Sequence, residues 1–315
     1  MTDVSRTPKE SMMKIGFAGL GAMGGPMAGH LLAAGHKLLV LTRRRESAEP
    51  AVAKGAIWAD TAKAVAAGSD IVFTALPGPA EIEAIMTGAD GLRAGFSAGA
   101  AYIDLSTNSP ALVRKLSSDL ATIGVSMLDA PVSGGPKGAA SRKLAIWVSG
   151  ERATFDICKP ILDLLGDQVR YLGPSGSASV AKLVHNCANY GIQMVLAEAF
   201  TLGVKAGVDP VALFGAIRQG SLGRQRAVDR MADQFLPHEF DTPAFALELA
   251  HKDVSLAAAL GRENDVPMRF ANMTLAEMTE ALNKGWGKRD SRAAMLIQEE
   301  RAGVDIRVPR EALQE

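Results

Sequence analysis

Between Met13 and Leu172, short apolar runs alternate with stretches of helical spacing, and no other feature narrows the choice of fold as far. The runs at Met13–Ala18, Lys37–Leu41, Asp70–Leu76, Ala101–Leu105 and Ser126–Ala130 read as buried strands. Helices are expected between them, at Met23–Ala34, Ser47–Lys54, Thr61–Ala67, Pro79–Met86 and Pro110–Ile123. Leu144–Val148 and Val169–Leu172 read as closing strands around a helix at Arg152–Leu165. This alternation predicts an α/β, doubly wound parallel sheet with helices on both faces. After Gly173-Pro174 the strand signals nearly vanish. The stretch from Ser175 to Ala206 has no proline, Gly207 offers a stop, and Asp209-Pro210 offers a new start. One helix of that length would run roughly 45 Å.

Gly19-Leu20-Gly21-Ala22-Met23-Gly24, between the first strand and the first helix, has the form G-x-G-x-x-G. Gly19 permits a tight turn, Gly21 lets a pyrophosphate approach the backbone, and Gly24 lets helix and strand pack closely. The helix N-terminus then offers free N–H groups and partial positive charge to phosphates. This context favours a dinucleotide-binding turn over a glycine loop without a ligand, and makes the first domain Rossmann-type. The expected division is an N-terminal tail at 1–12, a Rossmann-type domain at 13–174, an all-α second domain at 175–300 starting on the long interdomain helix, and a C-terminal tail at 301–315.

Bulk properties narrow the partners. Apolar residues at 48% suffice for a sizeable core, and a formal net charge of zero argues against a nucleic-acid or anionic-membrane binder. Cys158 and Cys187 are the two cysteines, too few for a disulfide framework, which fits a reducing, cytoplasmic setting. Ile15–Leu41 is apolar, but its glycines, His30, His36 and Lys37 suit a buried strand–helix–strand better than a membrane span. No metal is expected.

Ligands of open parallel sheets gather at the carboxyl ends of strands. Thr42-Arg43-Arg44-Arg45 follows the second strand, with no acid before Glu46 to hold a ribose 2′-hydroxyl. Forked arginines can hold a 2′-phosphate instead, so NADP(H) is preferred over NAD(H), with Arg43 as main ligand; a solvated basic loop is the alternative. Leu76-Pro77 is expected to line the cofactor. Asp104 to Pro110 ends another strand, with a helix cap at Asn108 or Ser109. Asp129-Ala130-Pro131-Val132-Ser133-Gly134-Gly135-Pro136 ends a strand in a glycine turn, either a plain surface turn or a concave anion site suited to a carboxylate.

On the long helix, Val180, Leu183, Val184, Cys187, Gly191, Met194 and Val195 recur at helical spacing as an apolar face. Lys182, Asn186, Asn189 and Gln193 line a polar stripe, mostly amide rather than charged. Lys182 is the natural acid–base candidate on that stripe, though an exposed surface lysine fits the spacing equally. His251-Lys252-Asp253, on an expected helix from Phe245 to Leu260, is a second candidate or a solvated charged turn. Arg224 and Arg226 suit either a substrate's far anionic group or the surface.

Together these residues resemble the β-hydroxyacid dehydrogenases, the group that includes 3-hydroxyisobutyrate dehydrogenase, tartronate semialdehyde reductase and relatives of 6-phosphogluconate dehydrogenase. The likeness spans Met13 to Arg301. Gly19 to Gly24, continued by Gly25-Pro26-Met27, is similar to the family's G-L-G-x-M-G-x-x-M, and Asp129 to Gly135 to its D-A-P-V-S-G-G. Lys182 and Asn186 resemble the catalytic K-x-x-x-N, Lys252-Asp253 the K-D pair, and Ser106-Thr107 the cofactor-contacting S-T. The resemblance implies hydride transfer between a β-hydroxy acid and a nicotinamide. It implies a carboxylate held by Ser133, Gly134 and Gly135, acid–base work by Lys182, Asn186 on the substrate oxygen, and Lys252 near the nicotinamide. A homodimer or homotetramer through the helical domain is also implied. Three places depart from the pattern. N-R-T reads Thr42-Arg43-Arg44, G-x-G before the lysine reads Gly176-Ser177-Ala178, and His185 stands where many members have a second asparagine. Two rival readings remain. One is an imine reductase, although those typically carry Asp or Tyr where this chain has Lys182. The other is an NADP-binding interaction protein without catalysis.

Overall fold

The computed structural model describes residues 13–224 and 229–313, so the expected tail at 1–12 and Arg226 lie outside the described residues. The chain divides into two compact units, one ending at Cys187 and the other beginning at Ala188. The change from mixed to helical structure comes earlier, after Gly173, so the first turns of the long helix belong to the sheet unit.

Nine strands are described in the first unit: β1 Lys14–Ala18, β2 Lys37–Leu41, β3 Ile57–Trp58, β4 Ile71–Thr74, β5 Ala101–Asp104, β6 Ser126–Asp129, β7 Val132–Ser133, β8 Ala145–Gly150 and β9 Gln168–Gly173. Their order is β3-β2-β1-β4-β5-β6-β8-β7, with β9 added to β8. Neighbours from β3 to β6 are parallel. β8 is antiparallel to β6 and β7 and parallel to β9, so the expected parallel sheet holds through β6 and is closed by mixed pairing. β1 lies between β2 and β4, and the chain reverses its winding there, which opens a crevice at the carboxyl ends of these strands.

Side chains alternate between the faces with a period of two. Ile71, Phe73, Ile103 and Leu128 join a core with Ile15, Phe17, Met27 and Leu31. Val72, Tyr102 and Met127 join a second core with Val65, Ile82, Met86 and Val113. Each fully buried side chain of this size contributes about 1.5–3 kcal/mol relative to exposure. Covering both faces explains why these strands read as continuous apolar runs.

In the second unit, Asp209 caps the helix Pro210–Gln219 by accepting from the Val211 and Ala212 amides at 3.0 and 2.9 Å. The helix expected over Phe245–Leu260 is found at Leu247–Glu263. Buried Asp290 accepts from the Ala244 amide at 2.9 Å and from Arg292 Nη1 at 3.0 Å. The stretch after Ala302 folds back onto its own unit. The Val308 amide donates to the Leu236 carbonyl at 2.8 Å, and Arg310 Nε donates to Glu239 at 2.8 Å.

The long helix is Ser177–Lys205, 29 residues. It is continuous over the expected stretch, but the residues of its expected apolar face stay largely exposed. Val180, Leu183, Val184, Met194 and Val195 are all between 43% and 63% exposed. In its first two turns Ala178, Ser179 and Lys182 are buried instead, because the Ala178 and Ser179 amides bond to groups of the sheet. Among the described residues, no helix is long and apolar enough to cross a membrane.

Candidate active site

The glycine turn has the shape that its sequence requires. Gly19 has φ +100°, and a Cβ there would lie 2.3 Å from the Ala75 carbonyl oxygen. A Cβ on Gly24 would lie 1.8 Å from the Gly19 carbonyl oxygen. Gly21, in contrast, would project its Cβ into open space. Backbone packing therefore excludes side chains at the first and third glycines, while the second faces outward, where a ligand can approach. Leu20 is buried, Gly21 and Ala22 are exposed, and Met23 is half-buried. The following helix, Gly24–Ala33, has no side-chain cap on its first turn. Gly25 already donates to the Gly21 carbonyl at 2.9 Å and Pro26 has no N–H, which leaves the Gly24 amide to meet an anion. These residues fit a dinucleotide.

Neighbouring strand ends are tied together by one buried network. Asp104 accepts from Thr74 Oγ1 at 2.9 Å, from the Ser106 amide at 3.0 Å and from Asn108 Nδ2 at 2.9 Å. Burial pushes its carboxyl up from the ordinary range, against the pull of these donors. Ser106 Oγ accepts from the Leu76 amide at 2.9 Å, which locks the loop carrying Leu76 and exposed Pro77 to the loop carrying half-buried Thr107. Ser106 thus serves as a strut between the two loops. The helix beginning at Pro110 is capped by Ser109. After β2, Thr42 is half-buried and Arg43 and Arg44 are exposed. Arg45 lies over the Trp58 ring, 5.3 Å from its centroid.

Lys182 is 8% exposed, and its Nζ lies 5.9 Å from the centre of the Trp147 ring. Burial pulls the pKa of its ammonium down, because the charged form loses hydration. His185, one turn further, packs on the same Trp147 with ring centroids 5.1 Å apart. Its Nε2 is 3.3 Å from Ser133 Oγ. Ser133 ends β7, which pairs with β8, and Gly134 and Gly135 follow with φ of +132° and +62°. A short helix, Gly135–Ser141, was not visible in this glycine-rich stretch. The sheet unit therefore sets the expected lysine and His185 on one aromatic side chain, Trp147, and His185 in turn meets Ser133 of the expected carboxylate turn. Asn186 is half-buried on the same helix.

Asp129 holds this helix in place. Its carboxylate is buried and accepts from the Gly176 amide at 3.2 Å, the Ser179 amide at 2.9 Å and the Ser149 hydroxyl. Ser149 Oγ in turn accepts from the Ala178 amide at 3.0 Å. Two side chains at strand ends thus satisfy three amides at the start of the helix and place negative charge at its positive end. Sequence reasoning passed over Ser149, Trp147 and the role of Asp129. The one available signal was an aspartate inside an apolar strand run, which needs a partner. The buried Ser179 hydroxyl, three residues before Lys182, has no protein partner.

Other expected residues belong to the second unit. Lys252 is exposed on the helix Leu247–Glu263 of the second unit and pairs with Asp253 at 2.9 Å. Asn189 and Gln193 are exposed, as is Arg224.

Known proteins align with both units. The family described as the NAD binding domain of 6-phosphogluconate dehydrogenase matches residues 14–173. The family described as NAD-binding of NADP-dependent 3-hydroxyisobutyrate dehydrogenase matches residues 176–298. A 2-(hydroxymethyl)glutarate dehydrogenase from Eubacterium barkeri is 35% identical over 298 residues, covering 94% of this chain and 98% of its own. A 3-hydroxyisobutyrate dehydrogenase from Pseudomonas aeruginosa is 39% identical over 213 residues, 67% of this chain and 71% of its own. An imine reductase from Myxococcus stipitatus in complex with NADP+ superposes with a TM-score of 0.81, covering 90% of this chain and 98% of its own; at 21% identity it speaks for the fold alone. The two family matches together with the 35% identical dehydrogenase show that the chain belongs to the β-hydroxyacid dehydrogenases, as an NAD(P)-dependent enzyme acting on CH–OH groups.

Proposed function

We propose that this enzyme prefers NADP(H) and interconverts a small β-hydroxy acid with its semialdehyde or keto form. The observation that carries this reading is Lys182, buried beside Trp147 with its ammonium destabilised, on the helix whose next turn touches Ser133. A nicotinamide, when bound, supplies or accepts the hydride. Gly19 to Gly24 would hold the pyrophosphate, with Leu76, Pro77 and Thr107 along the cofactor. Lys252 is assigned to the nicotinamide side by its motif. Ser133, Gly134 and Gly135 would bind the substrate carboxylate, and Asn186 the reacting oxygen. Lys182 would take the hydroxyl proton during oxidation and return it during reduction.

Thr42, Arg43 and Arg44 are assigned to the 2′-phosphate, with Arg43 the main ligand. Hydrogen bonds between charged groups contribute about 1.5–3 kcal/mol. Arg43→Ala is therefore expected to raise the KM for NADPH roughly 10- to 100-fold and leave that for NADH little changed. An equal effect on both cofactors would remove the assignment. A panel of β-hydroxy acids and semialdehydes, run with both cofactors and with cyclic imines alongside, tests the reaction. Turnover of imines alone would transfer the enzyme to the imine reductase reading.

The same proposal gives the apolar face of the long helix to a second copy of the chain. A helix with Val184, Met194 and Val195 in water leaves an unfavourable apolar surface uncovered, and self-association through the helical unit buries it. Met194→Glu is expected to shift sedimentation from dimer or tetramer to monomer. A monomeric wild type would end this part of the reading. No nucleic acid or membrane partner is proposed.

A further inference from the structure

We propose that His185 is a positioning residue for substrate binding, acting through Ser133, and that Trp147 fixes its ring. This rests on the proposed carboxylate role of Ser133. His185 and Lys182 are three residues apart and lie side by side on the helix. Both rest on Trp147, which comes from β8. β8 pairs with β7 in a register that sets Ser133 opposite Ala145, two residues before Trp147 on the same side of the strand. Strand register therefore fixes where Trp147 and Ser133 stand relative to each other. The helix start is fixed independently by Asp129 and Ser149. The 3.3 Å approach of His185 Nε2 to Ser133 Oγ is the meeting point of these two rigid elements.

The chemistry follows from the donor inventory. A serine hydroxyl has one hydrogen and accepts through its oxygen. When His185 Nε2–H donates to Ser133 Oγ, the serine hydrogen is turned outward, ready for a carboxylate. Without the histidine, that hydrogen rotates freely and the carboxylate pays for its orientation on binding. The ring on Trp147 is tilted by 59°, an edge-to-face arrangement that holds the imidazole in one orientation. His185 departs from the asparagine common at this position in the family it resembles, so the arrangement is a property of this chain's own residues.

The test separates binding from chemistry. His185→Leu is expected to raise the KM for a β-hydroxy acid about fivefold to tenfold, the loss of one neutral hydrogen bond, with kcat within threefold of wild type. His185→Asn, which retains a donor, should restore most of the affinity. The double variant His185→Leu/Ser133→Ala should bind no worse than Ser133→Ala alone, since the two act as one unit. Calorimetric titration of the NADP+-loaded enzyme with butyrate, which has no hydroxyl to oxidise, reads carboxylate binding without turnover. Weaker butyrate binding in His185→Leu supports the pairing even if no hydroxy acid is turned over, an outcome that would sink only the reaction assignment. Butyrate binding that is absent from wild type or equal in the two proteins overturns the pairing. A fall in kcat without a change in KM, or full additivity in the double variant, overturns it as well.

Discussion

Replacing Lys182 with alanine is expected to reduce turnover by about 10²–10⁴, the usual contribution of a positioned acid–base group, while NADPH binding survives. The lysine is buried against Trp147 and is not one of the residues of the glycine turn assigned to the pyrophosphate, so the two functions should separate. Lys182→Arg is the sharper variant. It keeps a cation but cannot give up its proton near neutral pH, so oxidation of the hydroxy acid should fail with it. The pH dependence follows from the lowered pKa of the lysine. Oxidation needs the free amine and rises with pH through that pKa; reduction needs the ammonium and falls over the same range. Both limbs should lie below the pH at which an exposed lysine titrates. Stopped-flow hydride transfer in each direction reads this directly, and full activity of Lys182→Ala would falsify the assignment.

Asp129→Ala should weaken both the fold and the reaction. It strips the Gly176 and Ser179 amides and the Ser149 hydroxyl of a buried charged acceptor. Loss of such a partner costs about 1–3 kcal/mol for each group left unsatisfied. A total of roughly 3 kcal/mol, at about 2–4 °C per kcal/mol, corresponds to a melting temperature lower by on the order of 6–12 °C. Lys182 sits on the second turn of the same helix, so kcat/KM should fall even where the variant remains folded. Asp129→Asn preserves shape and one acceptor and should recover part of both losses. Thermal unfolding beside kinetics decides. An alanine variant as stable and active as wild type would show that the clamp is dispensable.

Much of the sheet unit was legible because its strands are buried on both faces and therefore read as unbroken apolar runs. The glycine turn was legible because steric exclusion at Gly19 and Gly24 leaves few other residue choices. Strands β3 and β7 were not, since two residues carry no periodicity. The helix Gly135–Ser141 was hidden by its glycines and proline, which read as a turn. The Asp129 clamp joins residues 47 and 50 positions apart, a pairing that no local pattern encodes. On the long helix, periodicity correctly grouped Val180, Leu183, Val184, Met194 and Val195. It carried no information on what covers them, because an amphipathic stripe looks the same whether its cover comes from its own chain or another.

The folded-back C-terminal stretch has a consequence for biosynthesis. Arg310 reaches Glu239 across 71 positions, and the Val308 amide closes on Leu236. On a ribosome adding about 5–20 residues per second, the loop around Glu239 waits on the order of 4–14 s for these partners to be made, which is the span in which a nascent second unit most needs protection from wrong contacts.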